Sequence, residues 1–217
     1  MAIADLRREY KLNGLSRKEL LADPLAQFQS WFDEVMKLRA QSATPLEANA
    51  MTLATVDGQG RPSARVVLLK GIDERGFIFF TNRHSRKGVE LAGNPHAALV
   101  FHWADLERQV CVAGIVQKIS SEESETYFKS RPRGSQLAAW ASHQDEIVAD
   151  RTTLETRWRE LDAQFSGKEI PMPLYWGGYV LMPERIEFWQ GRPSRLHDRF
   201  SYSQQPDSRW RIERLSP

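Results

Sequence analysis

Cysteine is almost absent from this chain: Cys111 is the only one among 217 residues. That excludes an intrachain disulfide and a thiolate-held metal cluster. Cys111 lies in an apolar, strand-like run, where it reads as a small buried hydrophobe rather than a nucleophile. Long apolar runs are missing too. No stretch is long enough to cross a bilayer as a helix, and residues 1–11 carry no signal-like apolar segment. Neither sign of charge is in excess, with 30 Lys and Arg against 28 Asp and Glu and a formal net charge of +2. Nothing global therefore points to nucleic acid or a membrane surface. Neither G-x-G-x-x-G nor a Walker A pattern occurs, so Rossmann and P-loop sites lack support. There is no internal repeat and no low-complexity tract. The expectation is a soluble, cytoplasmic protein of a reducing compartment, without a metal site.

What is present is strand texture. Residues 51–57, 63–70, 77–81, 97–103 and 108–119 read as short strands separated by turn residues. Strands return at 176–182, 185–190, 195–202 and 209–215, after a helical section. Within that section Ser120 and Glu123 have capping-box spacing, and a polar helix is expected over 145–165. Ahead of the strands, Asp23-Pro24 starts a helix on which Leu25, Phe28, Phe32 and Val35 share a face. Residues 1–22 read as a mobile arm, and 23–217 as a single mainly β domain with a helical insertion, an antiparallel barrel or sandwich.

Three clusters could carry chemistry. Arg65 and Lys70 bracket an apolar run that by itself reads as a core strand with charged ends. Their opposite parity sends them to opposite faces of an unbroken strand. After Thr81, Ser85 is placed to cap a helix with Arg86 and Lys87 in its first turn. Cations there run against the helix dipole, and a bound anion would explain the inversion. Tyr127 and Arg131 are four apart, and Arg133-Gly134-Ser135 reads as a loop after Pro132. Tyr, Arg and Ser are donors that a second phosphate site needs. The densest cluster lies late in the chain. Residues 186–190 alternate as a strand, 191–194 turn, and a returning strand puts Arg195, His197 and Arg199 on one face near Trp189. That face suits a flat, anionic heteroaromatic ligand.

The run Glu187-Phe188-Trp189-Gln190, followed by Arg195-Leu196-His197-Asp198-Arg199, resembles the signature of the pyridoxine (pyridoxamine) 5′-phosphate oxidases. The resemblance extends over nearly the whole chain, through residues 65–70, Thr81, residues 85–87 and 106–109, Tyr127 to Ser135, and Trp176-Gly177-Gly178. It implies a split β-barrel homodimer with FMN in clefts at the subunit interface. It places Arg65, Arg86 and Lys87 on the FMN phosphate, and Lys70, Thr81, Gln109, Gln144, Trp189 and Arg199 on the rest of FMN. Lys70, Tyr127, Arg131 and Ser135 would hold the substrate phosphate, and Arg195 and His197 would face the pyridine ring. Arg7 and Tyr10 belong to an arm similar to one that folds over the substrate. Two departures stand out: Phe80 where a Tyr is common, and Asp145 where a small hydroxyl residue often follows Gln144. No family contact is carried onto Asp145.

The implied reaction moves a hydride from the exocyclic carbon of pyridoxine or pyridoxamine 5′-phosphate to the flavin, in pyridoxal phosphate biosynthesis and salvage. Oxygen then takes the electrons and becomes hydrogen peroxide, and the amine also releases ammonia. Three other readings compete: another split-barrel reductase or flavin carrier, a flavin-free pyridoxal phosphate binder, and a nucleic-acid binder. The balanced charge disfavours the last.

Overall fold

Pro24 opens α1 (Pro24–Gln41), and Asp23 ahead of it accepts the Leu25 backbone N–H on Oδ1 at 3.0 Å. Phe28, Trp31 and Val35 recur on one face and are buried, while Leu25 and Phe32 flank it half-buried. Phe28 meets Phe77 and Phe101 edge-on at 4.9 and 4.8 Å, and Trp31 meets Phe188 at 5.2 Å. One helix thereby ties together three strands that are distant in sequence.

The computed structural model describes residues 3–6, 9–41 and 47–217. After α1 come β1 (Ala50–Val56), β2 (Pro62–Leu68), β3 (Gly71–Asp73), β4 (Gly76–Asn82), α2 (Arg86–Gly93), β5 (His96–Trp103) and β6 (Arg108–Lys118). Three helices follow, α3 (Ser121–Ser130), α4 (Arg133–Ala141) and α5 (Arg151–Gln164). The chain closes with β7 (Trp176–Gln190), β8 (Asp198–Gln204) and β9 (Trp210–Leu215). The strands form one antiparallel sheet in the order β2-β1-β5-β6-β7-β4-β3, with β8 and β9 branching from β7.

The branch explains the split. β6 runs along one edge of β7, while β4 pairs with its first half and β8 with its second on the other edge. Between those halves the β6–β7 register shifts at Ala113/Gly114. A Cβ on Gly114 would stand 2.0 Å from the Met182 carbonyl oxygen, so this approach requires glycine. Pro183 falls at the same irregularity, where a missing N–H is tolerated. The expected pair of strands at 176–182 and 185–190 is therefore one strand that bends.

The curl closes at a second corner. Leu69 N–H donates to Asn49 O and Lys70 N–H donates to Ile78 O, both at 2.8 Å. The chain thus crosses from the β1 side to the β4 side between adjacent residues. The result is a mainly β, split-barrel fold, as the sequence predicts. A second apolar cluster under α3 and α4 holds Phe128, Leu137, Ile170 and Trp176.

Ahead of α1 the Tyr10 ring packs edge-on against Trp189 and His197. Lys11 and Leu12 N–H groups donate to Glu107 Oε2 at 2.9 and 3.0 Å, and Leu15 is buried in the main core.

Candidate active site

Between β2, the end of β4, α2 and the α3–α4 corner lies a cleft of about 880 Å³, a size suited to a small-molecule ligand. Arg65, Lys70, Thr81, Arg86, Lys87, Tyr127, Arg131, Ser135 and Gln144 all line it. The parity conflict disappears because β2 ends at Leu68. Lys70 lies beyond it, at the corner crossing, and is free of the strand's alternation.

One wall is built on a residue that the sequence did not single out. Glu90 is 5% exposed and accepts Thr55 Oγ1 at 2.5 Å, Ser63 Oγ at 2.6 Å and Arg86 Nε at 2.8 Å. Arg65 Nη2 lies 3.4 Å from the same carboxylate and also donates to Ser63 Oγ, while its Nη1 donates to Thr55 Oγ1 at 2.6 Å and Leu53 O at 3.1 Å. Burial pushes the Glu90 carboxyl upward, but the hydrogen bonds from Ser63, Thr55 and Arg86 outweigh it and hold it at about 2. Glu90 therefore stays ionised and fixes both guanidinium groups. The Arg86–Glu90 spacing of four was the one local signal for it; Thr55 and Ser63 arrive only through the sheet.

Ser85 caps α2 as predicted, accepting from Gly88 N–H and from Lys87 Nζ at 3.0 Å. Lys87 is 5% exposed, and burial pushes its pKa down. A Cβ on Gly88 would sit 2.3 Å from the Arg83 carbonyl oxygen, so glycine lets the helix start approach the preceding loop.

The opposite wall is aromatic. Phe80 stacks on Tyr127 at 3.9 Å and on Trp176 at 5.4 Å. The Arg131 guanidinium lies 4.8 Å over the Trp176 ring, and its Nη1 is buried without a hydrogen-bond partner. Burial lowers its pKa. The helix carrying Tyr127 stops at Ser130, and Arg131 follows in extended backbone. Arg133-Gly134-Ser135 is the first turn of α4, not the expected loop, because Pro132 sits at a helix cap where its missing N–H costs nothing. The polar helix expected from 145 begins only at Arg151, capped by Asp150, which leaves Gln144 in a loop.

The remaining predicted residues form a second group outside this cleft. Gln109, Trp189 and Arg199 are paired neighbours across β6, β7 and β8. Arg199 Nε donates to Glu187 Oε1 and its Nη1 to Ser216 O, both at 2.8 Å. The Trp189 and His197 rings lie 4.6 Å apart, and Tyr10 meets them at 5.5 and 5.6 Å. Arg7 lies outside the described residues. Arg195 and His197 are not on a returning strand with Arg199, since β8 begins at Asp198. Pro193–Arg195 is a 3-10 turn instead, with Ser194 at φ 56° and Arg195 at φ 63°. Two successive non-glycine residues in the left-handed region mark a strained turn at the candidate catalytic position. The Arg192 N–H donates to His197 Nδ1 at 3.1 Å. Nδ1 is thus an acceptor, and the neutral ring carries its proton on Nε2. Burial, and then the Arg195 charge, lower the His197 pKa.

The fold is thus a split β-barrel that carries a cationic cleft and, apart from it, a cluster of Trp189, His197 and Tyr10. Two family descriptions match the chain: "Pyridoxamine 5'-phosphate oxidase" over residues 38–165 and "Pyridoxine 5'-phosphate oxidase C-terminal dimerisation region" over 176–217. A pyridoxine/pyridoxamine 5′-phosphate oxidase 1 of Ralstonia nicotianae is 59% identical over 216 residues, 100% of this chain and 99% of that one. A pyridoxine/pyridoxamine 5′-phosphate oxidase of Cupriavidus taiwanensis is 57% identical, with 99% of each chain covered. Among solved structures, PhzG from Burkholderia lata 383, in complex with tetrahydrophenazine-1-carboxylic acid, superposes with a TM-score of 0.87 at 28% identity. That match covers 97% of this chain and 100% of PhzG. The chain belongs to the pyridoxine/pyridoxamine 5′-phosphate oxidase family and is an oxidoreductase enzyme of it.

Proposed function

We propose that this protein oxidises pyridoxine 5′-phosphate or pyridoxamine 5′-phosphate to pyridoxal 5′-phosphate, with FMN bound and oxygen as electron acceptor. Hydrogen peroxide, and ammonia from the amine, are the other products. The observation that carries this reading is the buried, unpartnered Nη1 of Arg131 in a cleft that four other cations also line. A buried donor without a partner is costly, and an anionic oxygen would satisfy it.

The donor set fits two phosphates. Arg65, Arg86 and Lys87, braced by Glu90 and by Ser85, would take the FMN phosphate at the start of α2. Tyr127, Arg131 and Ser135, with Lys70, would take the substrate phosphate. Thr81 and Gln144 would contact the rest of FMN. When bound, FMN supplies the hydride-accepting ring and the route to oxygen. The chain's own groups bind, orient and polarise. Arg195 would steer the reacting carbon. His197, proton on Nε2, would hydrogen-bond the substrate.

A homodimer completes the reading. The second group (Gln109, Trp189, Arg199, Arg195, His197 and Tyr10) is absent from the lining of this chain's cleft. A second copy would bring its own set against the cleft, with FMN between. The match of residues 176–217 to a dimerisation region supports this, as do the exposed apolar side chains of Val66 and Leu196.

The test is peroxide formation by FMN-loaded protein with phosphorylated and dephosphorylated forms of both substrates. Turnover is expected only with the phosphorylated forms. Equal turnover of the dephosphorylated ones would overturn the assignment of Arg131.

A further inference from the structure

Asp145 is the only carboxylate among the described residues lining the cationic cleft. It lies in the α4–α5 connection, where residues 142–147 are exposed and Asp145 itself has φ 71°. Its Oδ2 accepts the backbone N–H of Arg86 at 2.7 Å. That N–H belongs to the first residue of α2, where backbone donors and the helix dipole favour an anion. The carboxylate's charge also reaches Lys87, where it opposes the burial that lowers the amine. A side chain from a separate loop therefore holds the ground that the proposed cradle offers a phosphate.

We propose that Asp145 is a displaceable internal anion, which occupies the α2 start when the cleft is empty and must leave for a phosphate to enter. The proposal rests on the reading that this cleft takes FMN by its phosphate. Two features make the carboxylate suited to leaving. The loop packs no buried side chain between Ser142 and Ile147, and Asp145 meets α2 through its hydrogen bond from Arg86 and the charge of Lys87. Arg65 and Arg86, by contrast, are tied to Glu90 and stay in place when it moves. The competition is specific to the phosphate end of the ligand. Riboflavin, which lacks the phosphate, has no need to displace the carboxylate.

The experiment titrates apoprotein with FMN and, separately, with riboflavin, read by quenching of flavin fluorescence. Wild type is compared with Asp145→Asn and Asp145→Ser. Both substitutions fall on an exposed loop residue, and Asn, like Asp, tolerates the φ of 71° there. FMN affinity is expected to tighten on the order of tenfold, the scale of one charge-assisted contact near a surface, with riboflavin unchanged. Inorganic phosphate should also raise the melting temperature more in the variants than in wild type. Unchanged or weaker FMN binding in both variants overturns the proposal, and so does equal tightening of riboflavin. The cofactor reading fails separately, if wild type binds no FMN and Arg86→Ala with Lys87→Ala changes nothing. The phosphate-dependent melting shift then still decides the role of Asp145.

Discussion

Replacing Glu90 with Gln tests the bracing of the cleft wall. The carboxylate is buried, accepts from two hydroxyls and one guanidinium within 2.8 Å, and is held at about 2 against a free value of 4.5. Each pKa unit corresponds to about 1.4 kcal/mol. The full shift would thus correspond to about 3 kcal/mol, and screening through the exposed half of Arg86 reduces it, so we expect a loss of about 1–3 kcal/mol at pH 7. The sign follows from linkage. The folded pKa lies below the unfolded one, so the stabilisation is complete above pH 4.5 and fades as the pH falls from 4.5 toward 2. The assay is urea unfolding of wild type and Glu90→Gln at one protein concentration, at pH 7 and at pH 3.5. The gap should be widest at pH 7 and narrower at pH 3.5. Equal stability at pH 7, or a gap that does not shrink with acid, would refute the reasoning.

Other consequences are as concrete. Arg131→Ala should raise KM for the phosphorylated substrate by about 10–100-fold, since a charged hydrogen bond contributes about 1.5–3 kcal/mol; steady-state kinetics with FMN saturating checks it. Arg195→Ala should lower kcat strongly with FMN still bound, seen in its visible spectrum, and unchanged turnover would remove Arg195 from the reaction. His197 should titrate below 6.5 because burial, then Arg195, disfavours its charged form; an NMR titration reads the midpoint. Gly88→Ala should cost about 1–3 kcal/mol, because the new Cβ would press on the Arg83 carbonyl, a backbone atom that cannot rotate away; thermal unfolding measures it.

Local chemistry makes much of this architecture legible in the sequence itself. The capping residues Ser85 and Ser120 fall where predicted because a side-chain oxygen on a helix's free N–H groups is a short-range bond. The alternation of residues 186–190 also holds, with Ile186, Phe188 and Gln190 buried. What failed depends on neighbours distant in sequence. The two strands expected at 176–182 and 185–190 are one, because β7 accommodates Glu184 as an extra residue opposite Ala113 and Gly114 of β6 and continues past Pro183. Arg195 reads as a strand residue from sequence, yet the connection runs through 191–197 rather than ending at Ser194, and pairing resumes only at Asp198. Glu90 has only its spacing of four from Arg86 as a local signal, since its partners Thr55 and Ser63 come from β1 and β2. Asp145 stands out from sequence only as a departure from the family pattern, and its contact with Arg86 spans β5, β6, α3 and α4.

The central claim is that a flavin held in this cleft takes electrons from a phosphorylated pyridine. The most direct measurement is the visible absorbance of FMN-loaded protein without oxygen, before and after adding pyridoxine 5′-phosphate. The account predicts that the flavin band bleaches on addition and returns with air. A bound flavin that keeps its colour through the addition of both pyridoxine and pyridoxamine 5′-phosphate would contradict it.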